Sequence, residues 1–416
     1  MLRSRFRPPQ PAWFPCLVLA TLLSHAVLSG VRTLVSYRAL ALGGDALAVG
    51  LITAAFALLP LVVALQIGRA VDRGRGVLAL RLGLGLTVVA VFVAAVSPSL
   101  AVLTVASAVL GLGHMLHTVA CQSLIPLWSP PATVDNRFGH LTLGVSLGQL
   151  LGFPVAGLVA TLTNQGSDAG QIATTPALLV MGAMAAVAVP LAFGFVPASR
   201  ARVSRADAAG AQQSTRAILG TCGMKPAIYS SLTVLTGMDL LMAYLPVLGQ
   251  EMGLGVGTVT ALLTARTVTS VIARAAMPVL VRVAGRRWLL LSATLASGIP
   301  MALLPLTDDI ALLTAAMLVV GFFWGLGQPL TMSWVTLVAD RRNRAAALSV
   351  RLAGNRIGQV VVPLAAGGLA GLTGGVGAIF HASGLLLLSS AACTLVATRN
   401  LPDRPGREGI DPVPPG

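Results

Sequence analysis

The sequence predicts an all-α polytopic membrane protein, with 12 transmembrane helices in two pseudo-symmetric six-helix bundles. The apolar runs, the sidedness of the charge and a repeat between the halves carry this prediction. The chain has 416 residues and is 56% hydrophobic but only 10% charged, whereas soluble domains are roughly a quarter charged. Helices of about 20 apolar residues cross a bilayer. Such runs fall at 12–36, 47–67, 77–97, 99–125, 138–162, 172–195, 227–249, 256–281, 288–306, 309–338, 344–372 and 376–398. Transmembrane β-strands would instead alternate over about ten residues.

Charge assigns the loops to sides. With the N-terminus inside, 22 of the 28 basic residues fall in inner tails and loops, among them Arg69, Arg73, Arg75, Arg137, Arg282, Arg286, Arg287 and Arg344. The outer side keeps only Arg38, against Asp45, Asp168, Glu251, Asp308 and Asp309. This is the positive-inside pattern. It places a multi-pass protein in the cytoplasmic (inner) membrane with both termini cytoplasmic. The net charge of +15 therefore orients the chain and implies no nucleic-acid partner. Arg3, Arg5 and Arg7 before an apolar stretch imitate a signal peptide, but the stretch exceeds a signal core and carries polar residues at helical spacing. It reads as a retained first span. Cys16, Cys121, Cys222 and Cys393 form no CxxC pair, so neither a metal site nor a disulfide framework is expected.

The expected domains are an N-terminal bundle at 1–196, a basic linker at 197–226, a C-terminal bundle at 227–398 and a tail at 399–416. Gly111-Leu-Gly-His-Met-Leu116 in the fourth span matches Gly325-Leu-Gly-Gln-Pro-Leu330 in the tenth. Gly148-Gln149 with Pro154 in the fifth matches Gly358-Gln359 with Pro363 in the eleventh. Gly74-Arg75, between spans 2 and 3, is echoed by Gly285-Arg286-Arg287 between spans 8 and 9. Matches in the same order point to internal duplication.

The turn Gly68–Gly76, "GRAVDRGRG", resembles the loop signature of the major facilitator superfamily, roughly Gly-x-x-x-Asp-Arg-x-Gly-Arg. Gly68, Asp72, Arg73, Gly74 and Arg75 fit it with one residue missing. The resemblance covers about 12–398. Gly144, Gly148, Gly152, Pro154 and Gly157 in span 5 look like the packing signature of that family's drug/proton antiporters, although Phe153 interrupts its Gly-Pro pair. The arginine those antiporters often carry in span 4 would fall near Ser107, and their span-1 acid is absent. The resemblance implies that Asp72 braces the N-terminal half against span 11 and that spans 1, 4, 7 and 10 surround a central cavity. Gly68 would let two helix ends approach closely, and Asp72 suits a helix N-terminus.

Ionisable residues inside a membrane are functional candidates. Span 1 places His25, Ser29, Arg32 and Ser36 on one face, and span 4 does so with Ser107, Gly111, His114 and Thr118, His117 standing one step away. Gln328 and Thr331 occupy the matching positions of span 10. Arg266 and Arg356 lie near the midplane; Arg274 and Arg351 sit nearer the inner loops, where arginines snorkel to headgroups. Asp239, the one acid within a span, reads either as a proton or substrate site or as the counter-ion of Arg266 or Arg356. Arg32 has hydroxyl and imidazole neighbours on its own helix and no carboxylate, which suggests an anionic ligand held by Arg32 and a midplane arginine. His114 and His117 have no carboxylate or Cys companion in span 4 on this reading, and read as hydrogen-bonding or proton-relay groups rather than metal ligands. Phe322, Phe323, Trp324 and Trp334 either line a hydrophobic pocket or pack, and His381 reads as structural.

These readings add up to a monomeric secondary transporter without cofactor, an antiporter coupling proton entry to efflux of an organic anion or drug-like compound. No phosphate-binding loop motif is present. A membrane enzyme acting on a lipid-linked substrate is the alternative, but its acid cluster is missing beyond Asp308-Asp309. A transporter-like sensor would need a larger soluble segment than the linker or tail provides.

Overall fold

The computed structural model describes residues 12–164, 172–194, 215–339 and 343–397. Its described elements are helical: α1 (Trp13–Ala41), α2 (Ala46–Ala70), α3 (Gly76–Ala95), α4 (Leu100–Trp128), α5 (Val134–Thr163), α6 (Thr175–Leu191), α7 (Thr215–Gly220), α8 (Met224–Glu251), α9 (Val256–Leu303), α10 (Ile310–Val338), α11 (Arg344–Thr373) and α12 (Gly377–Ala397). Ten are long and apolar enough to cross a membrane, and α6 is a shorter apolar helix. Within α9 two helical stretches meet at a kink at Gly285 (φ 78°, ψ 156°), between the expected spans at 256–281 and 288–306. Most of the linker, and the tail from residue 398, lie outside the described residues.

The helix ends explain much of the charge. Asp45 caps α2 by accepting from Ala48 N (2.9 Å), and Asp309 caps α10 by accepting from Ala311 N (2.7 Å). A carboxylate there satisfies free N–H groups and meets the positive end of the helix dipole. Thus Asp309 is engaged in building the fold. The first helix runs to Ala41, past the expected end near residue 36, because Arg38 is held: it donates to Ser97 O (2.8 Å) and Thr175 Oγ1 (3.2 Å). Gly43, at φ 78°, then turns the chain.

In the "GRAVDRGRG" turn, Val71–Arg75 is a π-helical bulge in which Gly74 takes φ 84°, a conformation that favours glycine. The expected close approach at Gly68 is not found: a Cβ there meets nothing within 4 Å. The Asp72 side chain lies outside the described residues.

One apolar core runs through the end of the protein that carries Asp45, Glu251 and Asp309, the acidic end. It joins residues of α1, α2 and α5 to residues of α8, α9 and α11. At the opposite, basic end the core divides. Trp13, Leu80, Leu124 and Trp128 pack in one cluster, and Met224, Leu289, Leu330 and Trp334 pack in another. The Tyr244 hydroxyl of α8 lies 3.0 Å from Ala46 O and 3.3 Å from Pro363 O, fastening α2 and α11 at the acidic end. Of its most apolar stretch, α8 buries 78%, against 33% for α11.

Small residues let backbones meet where side chains would hold them apart. Gly148 and Gly152 of α5 lie on Leu22 and Ala26 of α1, while Gly157, on another face, lies on Thr260 of α9. Gly111 and Gly325, aligned by the repeat, do equivalent work: the first meets the backbone of Phe56 on α2, the second that of Ser270 on α9. Gly152→Val should therefore lower the melting temperature in detergent, since overpacking costs about 1–3 kcal/mol. Gly139→Ala, where a Cβ meets nothing, should leave it unchanged.

Candidate functional site

A polar seam crosses the interior where the helices of the two sequence halves meet. From α1, Arg32 Nη1 donates to Asp239 Oδ1 of α8 at 2.5 Å. The second carboxylate oxygen, Oδ2, accepts from Gln359 Nε2 of α11 at 2.6 Å. Gln359 Oε1 in turn accepts from Arg356 Nη1 at 3.0 Å. The Arg32 guanidinium also sits 4.9 Å from the centroid of the Phe56 ring on α2, a cation–π contact. Four helices, two from each half of the sequence, therefore meet in one chain of contacts.

This corrects the expectation that Arg32 lacks a carboxylate. It faces one from another helix, and Asp239 binds neither Arg266 nor Arg356 directly. Arg356 reaches it through Gln359, while Arg266 is 4% exposed and donates from Nη2 to Thr267 Oγ1 at 3.3 Å.

Beside the seam lies a histidine cluster. The His25 and His114 rings are 5.1 Å apart, His25 and His117 6.3 Å apart, and His114 stacks on Phe56 at 6.2 Å. Thr21 fixes the tautomers. Its hydroxyl donates to Leu17 O (2.8 Å), leaving its oxygen to accept from His117 Nε2 (3.2 Å). His25 Nδ1 donates to Thr21 O at 3.0 Å. A neutral imidazole carries one proton, so His117 Nδ1 is an acceptor, and it is buried without a partner. Cys121, one turn after His117, lies 3.6 Å from its Nε2. This corrects the expectation that the histidine pair has no Cys companion on its own helix, since Cys121 falls four residues after His117. Among the described residues no three His, Cys, Asp or Glu side chains are disposed to hold a metal ion. A cavity of about 400 Å³ opens against this cluster, lined by Thr21, His25, His117 and Cys121 and reaching Met332 of α10.

Gln328 belongs to a separate network. It accepts from Arg351 Nη2 at 2.7 Å and donates to Ser231 O at 3.0 Å, while Arg351 also reaches Thr331 Oγ1 (3.2 Å). Asn355 joins through Ser231 Oγ at 3.0 Å. Arg351, 5% exposed, is therefore turned inward and does not snorkel to headgroups. Arg274 likewise reaches across to Ser146 Oγ of α5 at 3.4 Å. Trp324 and Trp334 are buried in apolar clusters, so they pack. His381 Nδ1 lies 2.7 Å from Ala302 O, a link between α12 and α9. Phe56 and Thr21 carried no signal in the sequence, one being an aromatic in an apolar run and the other a hydroxyl that a helix absorbs.

Long apolar helices closing around a buried, charged seam define a polytopic membrane protein. The family model described as Major Facilitator Superfamily matches residues 17–265 and 229–412, and the chain belongs to that family. Solved transporters share the fold at low identity. A point mutant of the nucleoside transporter NupG aligns with TM-score 0.76 and 12% identity, over 92% of this chain and 99% of its own. A D-xylose–proton symporter gives 0.74 and 13%, over 94% and 98%. A bacterial homologue of the human lysosomal transporter Spinster, in an inward-facing and occupied conformation, gives 0.72 and 15%, over 93% and 96%. No curated protein sequence matches significantly.

Removing Arg32 alone strands a buried carboxylate, which costs about 3–5 kcal/mol, whereas replacing a buried pair together is often nearly neutral. Arg32→Gln should therefore depress the melting temperature in detergent strongly. Adding Asp239→Asn to it should restore most of the loss.

Proposed function

We propose that the protein is a proton-coupled secondary transporter that works by alternating access and exports an organic anion or drug-like compound. In this reading it is a monomer of two six-helix bundles joined by the 197–226 linker, and both termini are cytoplasmic. The observation that carries the reading is the Arg32–Asp239–Gln359–Arg356 chain, which ties α1 to α8 and α11 deep inside the protein. A membrane protein bears the cost of a buried carboxylate and several arginines where a site uses them. The division of the core supports the rest. The acidic end is sealed by one apolar core and the basic end is parted into two clusters. With the basic end cytoplasmic, as the positive-inside rule has it, this is an inward-facing arrangement.

Asp239 is the coupling group of this scheme. It holds Arg32 when ionised and releases it on taking up a proton, freeing α1 to move against α8. The histidines beside the seam are the proton-relay groups of this scheme. The loop at 68–76, with Gly68, Asp72, Arg73, Gly74 and Arg75, and its echo at 278–287 serve as cytoplasmic latches in the same scheme.

Transport by reconstituted vesicles of both orientations, against a panel of organic anions and lipophilic drugs, tests direction and coupling. Asp239→Asn should keep substrate exchange between the two sides while losing accumulation driven by a proton gradient. A variant that still concentrates substrate would make Asp239 a counter-ion only. Asp72→Asn should insert normally yet turn over slowly in the same vesicles. Unchanged turnover would reduce the loop to a topological signal.

A further inference from the structure

Charge is left over around the seam, and it collects on one residue. Both oxygens of Asp239 are occupied, Oδ1 by Arg32 and Oδ2 by Gln359. Arg266 shares this neighbourhood, since the charges acting on it are Asp239 and Arg274. Arg356 shares it too, with Asp239 and Arg32 as its charged neighbours. Asp239 is thus one negative charge in a neighbourhood of three guanidinium groups, and of these Arg32 alone contacts it. Arginine stays protonated in proteins, so burial does not discharge them. Arg32 has its ion pair, and Arg356, half-buried, has Gln359.

Arg266 is in a different position. It is 4% exposed, its guanidinium's sole hydrogen bond among the described residues is to the hydroxyl of the adjacent Thr267, and its Nε and Nη1 are buried with no acceptor. A fold that needed this residue only for packing would do better with an apolar side chain of similar volume, because a buried charge without a counter-ion opposes folding. Ser270 and Arg274 follow Arg266 at i+4 and i+8, on the same helix face and in the direction of the basic end. They extend a positive, hydroxyl-bearing stripe down α9.

We propose that Arg266 is the anion-binding group of the transport site. It takes the carboxylate, or a comparable single anionic group, of an organic substrate through its open Nε and Nη1 donors. Arg274 leads the anion in from the basic end, and Arg356 adds to the same positive field. This deepens the transport reading above and rests on it. It also moves the ligand contact away from Arg32, whose guanidinium is committed to Asp239.

The test is thermal stability of the purified full-length protein in detergent, with benzoate as probe, benzamide as its uncharged counterpart and sulfate as an inorganic anion. Ligand that binds only the folded state raises the melting temperature with concentration. Benzoate should raise it for the wild type, benzamide should not, and sulfate should do less than benzoate. Arg266→Met should melt higher than wild type without ligand and lose the benzoate shift. Arg266→Lys, which keeps the charge but loses the planar fork, should retain a reduced shift. A benzoate shift undiminished in either variant, or absent from the wild type, overturns the proposal. If wild-type vesicles carry a cationic or neutral compound that benzoate does not inhibit, the anion site falls while the transporter stands. If benzoate binds through Arg266 but no vesicle assay shows flux, the transporter reading falls and the site stands.

Discussion

The ion pair between Arg32 and Asp239 joins two helices that are 207 residues apart in sequence at the pair itself, and the surrounding architecture follows from keeping it dry and satisfied. Inside a bilayer there is no water to complete a half-made hydrogen-bond set. The carboxylate therefore needs partners on both oxygens, and α1 and α11 must both stand against α8 to supply them. That requirement fixes the rotation of three helices about their axes. It also explains why α8 is so enclosed: a helix carrying the membrane-embedded acid has little face to spare for lipid. Around it, glycines on α4, α5 and α10 bring neighbouring helices close enough for the apolar core at the acidic end to close over the seam.

The features legible in the sequence were those set by local chemistry. Hydropathy over a stretch of chain is a property of that stretch, so the bounds of most helices were readable to within a few residues. The acidic and basic ends were readable because loop charge does not depend on packing. Spans 8 and 9 were separable, since two helical stretches meet at a kink at Gly285 without a stretch of loop between them. One local reading failed for a physical reason. Gly68 faces open space, and Gly74, six residues later, makes the turn. The sequence marked the turn but not which glycine carried its backbone strain.

The site was legible as a set of residue types and not as a set of partners. An aspartate and five arginines within apolar runs stand out wherever they fall. Their pairing depends on which helix faces of the two halves meet, which no single-helix periodicity contains. For that reason Arg32 looked unaccompanied among its own neighbours, and Gln359, the bridge between Asp239 and Arg356, read as a repeat marker and as a polar residue following Arg351 on one face of span 11. Phe56 was invisible as a site residue, because an aromatic ring under a guanidinium is indistinguishable in sequence from one that faces lipid.

The unequal enclosure of α8 and α11 bears on how the surrounding membrane reaches the seam. Hydrophobic mismatch acts on the surface a helix shows to acyl chains, by tilting it or by locally stretching or thinning the bilayer. With 78% of its apolar stretch buried, α8 offers that force little purchase, whereas α11, with 33% buried, offers it more surface. The Gln359–Asp239 hydrogen bond is the joint between these two regimes. A thicker or thinner bilayer that tilts α11 pulls on one carboxylate oxygen while Arg32 holds the other in place. Acyl-chain length thereby becomes a variable that sets the geometry around the buried acid, although no lipid touches it.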